Sequence, residues 1–204
     1  MAGHRDTLAP VAVLVSGAPG SGKSTVGAVL ARQLKAALLD LDTATQSLTA
    51  VVQSLHGTDD LDDPRLVAVT RDARYETIIA LAEDNVATGV DVVLVAPFTS
   101  ERGDLATWDE LRQRLAAAGA SSVLVWLRIS ADEVVRRVGQ RGADRDRAKL
   151  DYDWAAGLDL DPPRVPHLEV DAEQHPDRIA DAVLSSAVFP RSHRNDRRQG
   201  PAAE

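Results

Sequence analysis

The chain has 204 residues, 44% hydrophobic and 26% charged, with a formal net charge of -8, which suits one globular domain around a single core. That acidic balance excludes a dedicated nucleic-acid binder, because its long-range field repels phosphate backbones. With no cysteine in the chain, disulfides, thiol catalysis and cysteine-bound metal are excluded as well, in keeping with a reducing cytosol.

Residues 1–10 are a polar arm. The first apolar run, VAVLV at 11–15, is too short to span a bilayer and is β-branched enough for a strand buried on both faces. The glycine-rich stretch SGAPGSGKST follows at 16–25, and then Val26, Val29, Leu30 and Leu34 recur at helical spacing. AALLD at 36–40 reads as a second strand, and Thr43 with Gln46 as a capping box for a helix through Leu55. HGTDDLDDP at 56–64 has loop composition, after which Arg71, Arg74 and Tyr75 open a long helix ending at Gly89.

DVVLVAP at 91–97 is a third buried strand, and Pro97 to Ser100 form its rim. A helix with Trp108, Leu111 and Leu115 on one face leads to a fourth strand, SVLVWLRI at 122–129. Ser130 and Glu133 cap the next helix, and the charged stretch RGADRDRAKLDYD runs over 141–153. HLEV at 167–170 is the weakest strand, Pro176 opens a last helix, and a basic, aperiodic tail begins at about Pro190. Strands alternate with helices and no hairpin joins them, so the expected fold is α/β with a parallel sheet, helices on both faces and one domain over 11–189. Ligands of such sheets sit outside the carboxyl ends of the strands.

Residues 17–24, GAPGSGKS, match the pattern G-x-x-x-x-G-K-[ST] in the order strand, loop, helix. Gly17, Gly20 and Gly22 let the chain turn its amide hydrogens inward, and Ala18, Pro19, Ser21 and Thr25 complete the cradle. The helix start adds its positive end, Lys23 reaches the β- and γ-phosphates, and Ser24 is placed to ligate Mg²⁺. The expected ligands are therefore ATP and Mg²⁺. The five histidines lack metal-ligand spacing, which argues against a protein-bound zinc. Trp108, Trp126 and Trp154 are expected in the core.

GAPGSGKST, LLDLD at the end of the second strand, VDVVLVAPFTS at the third and VVRRVGQRGADRDRAK after the fourth resemble the small P-loop kinases. That group includes shikimate and gluconate kinases, chloramphenicol phosphotransferase, zeta-toxin relatives and short bacterial ATP-binding proteins that carry the AAA domain label. The resemblance implies a five-stranded sheet in the order 2-3-1-4-5 and a lid at about 140–156. It implies that Asp40 supports Mg²⁺ through water, and that Asp42 binds the acceptor hydroxyl and acts as base. If the second strand persists, alternation turns both aspartates the same way; the competing role for Asp42 is a helix cap. Within the lid, Arg141 and Arg145 are expected to neutralise the transferred phosphoryl group, whereas Arg136 and Arg147 belong to a solvated face. Arg137 matches the position that packs on adenine.

One departure stands out. The end of the third strand reads Val95-Ala96-Pro97, where relatives often carry an aspartate, and Asp91 lies at the opposite end of that strand. Asp40 is thereby the candidate metal support, and an ATP-driven motor is disfavoured. The resulting expectation is a cytoplasmic kinase, monomeric or homodimeric, that phosphorylates a hydroxyl of a small polar molecule. Its rivals are a zeta-toxin-like nucleotide-sugar kinase, a nucleotide kinase and a non-catalytic nucleotide-binding regulator.

Overall fold

The computed structural model describes residues 9–141 and 157–190. Five parallel strands, β1 (Val11–Gly17), β2 (Ala37–Asp40), β3 (Val92–Val95), β4 (Ser121–Arg128) and β5 (Leu168–Asp171), form one sheet in the order β2-β3-β1-β4-β5. Every residue of β1 is buried, as its uninterrupted apolar sequence requires of a central parallel strand. Val11, Val13 and Val15 face one half of the core, and Ala12 and Leu14 the other. A one-residue slip in register would exchange the two sets.

The first half of the core packs α1 (Lys23–Leu34), α6 (Ala131–Arg141) and α7 (Pro176–Ser185) on the sheet. The second packs α3 (Pro64–Ala87) and α5 (Leu105–Ala117). A fully buried aliphatic side chain contributes about 1.5–3 kcal/mol, so the three valines of β1 together contribute on the order of 5–9 kcal/mol. Where α1 crosses β3 the fit is close: a Cβ on Gly27 would lie 2.4 Å from Val95 Cγ2. Trp108 and Trp126 are both in the core, as expected.

Two elements differ from the sequence reading. The helix α2 (Leu41–His56) starts directly after β2, capped by Asp40, whose Oδ1 accepts the Thr43 amide hydrogen at 3.1 Å; Thr43 and Gln46 form no box. And α3 begins at Pro64 with Asp63 as its cap, so Arg71, Arg74 and Tyr75 lie about two to three turns inside it. A short helix, α4 (Thr99–Gly103), occupies the rim of β3 and is entered through Phe98 in the left-handed conformation (φ 46°, ψ 41°). The Ser130 cap is present, its Oγ accepting from the Glu133 amide at 3.3 Å. The polar arm, the basic tail, Trp154 and most of the expected lid lie outside the described residues, apart from residues 9, 10 and 190 at the ends of the arm and tail. Among the described residues no helix is long and apolar enough to cross a membrane.

Candidate active site

The glycine loop joins β1 to α1 at the carboxyl edge of the sheet. Gly20 (φ 78°) and Gly22 (φ 90°) take left-handed backbone, which strains any residue with a Cβ, and Gly22 caps α1. At Gly17 a Cβ would stand 2.6 Å from Ser21 Oγ, so the loop closes over that position only without a side chain. Lys23 Nζ folds back to donate to the carbonyls of Gly17 and Ala18, both at 2.9 Å. Ser16 Oγ donates to Pro97 O at 2.7 Å, tying the loop's strand to the rim of β3. The first turn of α1 holds no acidic residue of its own, and the positive end of its dipole favours an anion there. This cradle fits a phosphate chain.

Ser24 Oγ donates to Asp40 Oδ2 at 2.7 Å. A hydroxyl and a carboxylate are hard oxygen donors, and Mg²⁺ typically takes one or two protein ligands beside substrate phosphates, so the pair fits that ion. Among the described residues no cluster of three or more histidine, cysteine or acidic side chains could hold a metal alone. The rim of β3 carries buried Val95 and Ala96. Asp91 sits at the opposite edge, accepting the Val11 amide hydrogen at 2.8 Å, and is remote from the cradle.

Asp42 is not on an extended strand. It occupies the first turn of α2, so the alternation argument does not apply, and the capping role belongs to Asp40. Both aspartates nevertheless line one cavity of about 620 Å³, with Pro19, Gly20, Gly22, Lys23, Ser24 and Thr25 on its nucleotide side. Residues of α3 and of the β3 rim line the same cavity. Arg74 Nη2 donates to Asp42 Oδ1 at 2.5 Å, and Arg74 Nε donates to Thr45 Oγ1 at 2.9 Å. Arg71 Nη2 donates to Thr99 Oγ1 at 2.9 Å and to Ser100 Oγ at 3.0 Å, with its guanidinium 5.1 Å above the Tyr75 ring. Tyr75 accepts the Phe98 amide hydrogen at 3.1 Å and packs edge-on against that ring. Burial, reinforced by the charge of Glu101, pushes the Tyr75 phenol up to about 12, so it stays protonated at neutral pH.

Arg137 lies beside the loop. It donates to Glu133 Oε1 at 2.6 Å, Ala172 O at 2.8 Å and Ser21 O at 3.4 Å, and it lines a second cavity of about 320 Å³ with Gly22 and Thr25. Arg136 and Arg137 together hold the Glu133 carboxyl at about 2, well below the usual range; Arg136 faces solvent. Arg141 ends α6, but its side chain, Arg145, Arg147 and the lid lie outside the described residues.

Sequence reasoning missed Glu101 and Arg102, both buried in α4. Arg102 stacks on Trp126 with its guanidinium carbon 4.7 Å from the ring centroid. It donates to Asp161 O at 3.1 Å and bonds the Asp159 carboxylate, and its carbonyl accepts the Arg164 amide hydrogen at 2.8 Å. The β3 rim and the stretch leading to β5 thus share one anchor.

A profile of the family described as AAA domain matches residues 13–153. Over 133 residues the sequence is 37% identical to the shikimate kinases of Mycobacterium tuberculosis and Mycobacterium bovis, covering 65% of this chain and 64% of theirs. The alignment therefore spans slightly less than two thirds of those relatives. Among solved structures, a gluconokinase from Sinorhizobium meliloti superposes with a TM-score of 0.54 at 20% identity, covering 94% of this chain and 98% of that one. The APS kinase of Mycobacterium tuberculosis, solved with AMPPNP and APS, gives 0.59 at 21% identity, covering 86% and 96%. At these identities the likeness is one of fold.

Proposed function

The chain belongs to the AAA domain family and has the fold of the small P-loop kinases, and from that premise we propose that it transfers the γ-phosphoryl group of ATP to a hydroxyl of a small polar molecule. One observation carries this reading: a single cavity is lined by Lys23, Ser24 and Asp40 together with Asp42, Arg71 and Arg74. The first group is suited to phosphates and the second to an acceptor, and catalysis of phosphoryl transfer is chiefly positioning and charge stabilisation.

In this mechanism the loop amides and Lys23 bind the phosphate chain, Lys23 leaving its two carbonyl partners to do so. Ser24 and Asp40 hold Mg²⁺, which when bound neutralises charge on the β- and γ-phosphates. Arg137 supplies a flat guanidinium beside the loop for the adenine ring. Asp42, oriented by Arg74, accepts the proton of the acceptor hydroxyl. The freed oxygen bonds to the γ-phosphorus, the bond to the β-phosphate oxygen breaks, and ADP leaves with that electron pair. Arg141 and Arg145 stabilise the charge on the transferring group. An acceptor with an anionic group suits the two arginines Arg71 and Arg74, and a cytosolic reaction is in keeping with a chain that has no cysteine.

Purified protein with ATP and Mg²⁺ should phosphorylate a member of a pooled library of hydroxylated metabolites, read by product mass. Lys23→Ala should lower nucleotide affinity or turnover about tenfold or more. A second reading, a nucleotide-binding regulator, is favoured by the end of β3, which reads Val95-Ala96-Pro97 with no aspartate. Tight ATP binding with no transfer to any library member would support it instead.

A further inference from the structure

We propose that this chain forms a two-fold symmetric homodimer through the outer face of α2. The inner face of that helix is occupied: Leu41, Thr45 and Thr49 are buried. On the outer face Leu48 is 72% exposed, Val51 57% and Leu55 81%, which includes the most exposed large apolar side chains among the described residues. With Ala44, exposed one turn earlier, they fall within about 60° of arc on a helix of 3.6 residues per turn. An apolar stripe so open to water marks a covered surface rather than scattered surface leucines.

The chemistry of the stripe selects the occupant. From Thr43 to Leu55 the sequence has no charged residue, in a chain that is 26% charged with a net charge of -8. A two-fold contact places a patch against its own copy, so net charge there is met by like charge. A neutral face avoids that penalty, which an acidic protein otherwise incurs wherever it touches itself. A membrane surface is the wrong partner: interfacial helices carry lysine and arginine on their polar face, and this one carries neither.

The spacing is self-complementary as well. Ala44, Leu48, Val51 and Leu55 are separated by four, three and four residues, which is symmetric about the middle of the stripe. An antiparallel pair of α2 helices therefore sets Ala44 of one copy against Leu55 of the other, and Leu48 against Val51. Small side chains meet large ones, as interdigitated helix packing requires. The antiparallel arrangement also brings the positive end of each helix dipole beside the negative end of its partner.

Light scattering on the eluting peak of the full chain tests this, independently of any catalytic activity. The parent should run at twice the monomer mass at tens of micromolar. Leu48→Glu and Leu55→Glu, both at exposed positions, should run as folded monomers by circular dichroism, their dissociation constants raised about 100-fold or more. Leu105→Glu, at another leucine 54% exposed and outside the stripe, should stay dimeric. Because the chain lacks cysteine, Val51→Cys with a short bis-maleimide should give a cross-linked dimer. A monomeric parent at all concentrations, a dimer indifferent to both glutamates, or one broken equally by Leu105→Glu would overturn the proposal.

Discussion

Asp40 serves two neighbours with its two oxygens: Oδ2 accepts from the Ser24 hydroxyl at 2.7 Å, and Oδ1 from the Thr43 amide at 3.1 Å. One carboxylate therefore links the start of α1 to the start of α2. Asparagine caps a helix as well as aspartate does but is a poorer cation ligand. Asp40→Asn should keep the melting temperature within a degree or two while raising the Mg²⁺ concentration needed for half-maximal turnover severalfold. Asp40→Ala should lose the cap as well, about 1 kcal/mol, read by urea denaturation.

Asp42 has a different dependence. Its partner Arg74 is fixed by Thr45, so Asp42→Asn should retain the hydrogen bond and the fold. Transfer to acceptor should fall about 10²-fold or more, the usual scale for a positioned base, with ATP affinity unchanged. Turnover equal to the parent at saturating ATP and Mg²⁺ would remove Asp42 from the base role.

Glu101 predicts a pH dependence. Its Oε2 is buried with no hydrogen-bond partner among the described residues, and burial raises its carboxyl above the usual 4.5. For an acid raised in the folded state, the native protein binds more protons than the unfolded chain between 4.5 and the raised value. Stability therefore falls as pH rises through that window and then levels off. Glu101→Gln removes the ionisation, so it should melt higher than the parent at pH 8, on the order of a few °C. That gap should close below pH 4.5. A gap independent of pH would show that ionisation of Glu101 is not its cause.

Tyr75→Phe tests the wall itself. The phenol oxygen is the acceptor for the Phe98 amide hydrogen, at a residue whose left-handed backbone already costs about 1 kcal/mol. Losing that acceptor leaves a buried donor unmatched, at about 1–3 kcal/mol. The urea midpoint should drop with no change in slope, and hydrogen exchange should accelerate at Phe98 and Thr99.

Much of this arrangement is legible in the sequence because its signals are local. VAVLV, DVVLV and the glycine loop each specify their own element, and alternation of strands and helices leaves few ways to order the sheet. LLDLD alternates like a strand, so its letters do not show that the cap made by Asp40 starts a helix directly after β2 and puts Asp42 in the first turn. At Asp63 and Pro64 a helix-start signal lay hidden in residues of loop composition. Arg102 could not be read at all. Its burial depends on Trp126 and on the carbonyl of Asp161, both far along the chain.

The second strand lies at the outer edge of the sheet, and α2 and α3 are reached from it before the chain returns inward to β3. Asp42, Arg71, Arg74 and Tyr75 all belong to that excursion, while the phosphate cradle hangs from the central strand. Tyr75 also holds the Phe98 amide at the rim of β3, but substitutions at Arg71 and Arg74, whose hydrogen bonds go to Asp42, Thr45, Thr99 and Ser100, leave the glycine loop and the central sheet in place. On the proposed function, a lineage of such proteins can therefore exchange one acceptor for another at these two positions while Asp42 and the nucleotide chemistry are inherited unchanged, and an engineer can randomise Arg71 and Arg74 with that freedom.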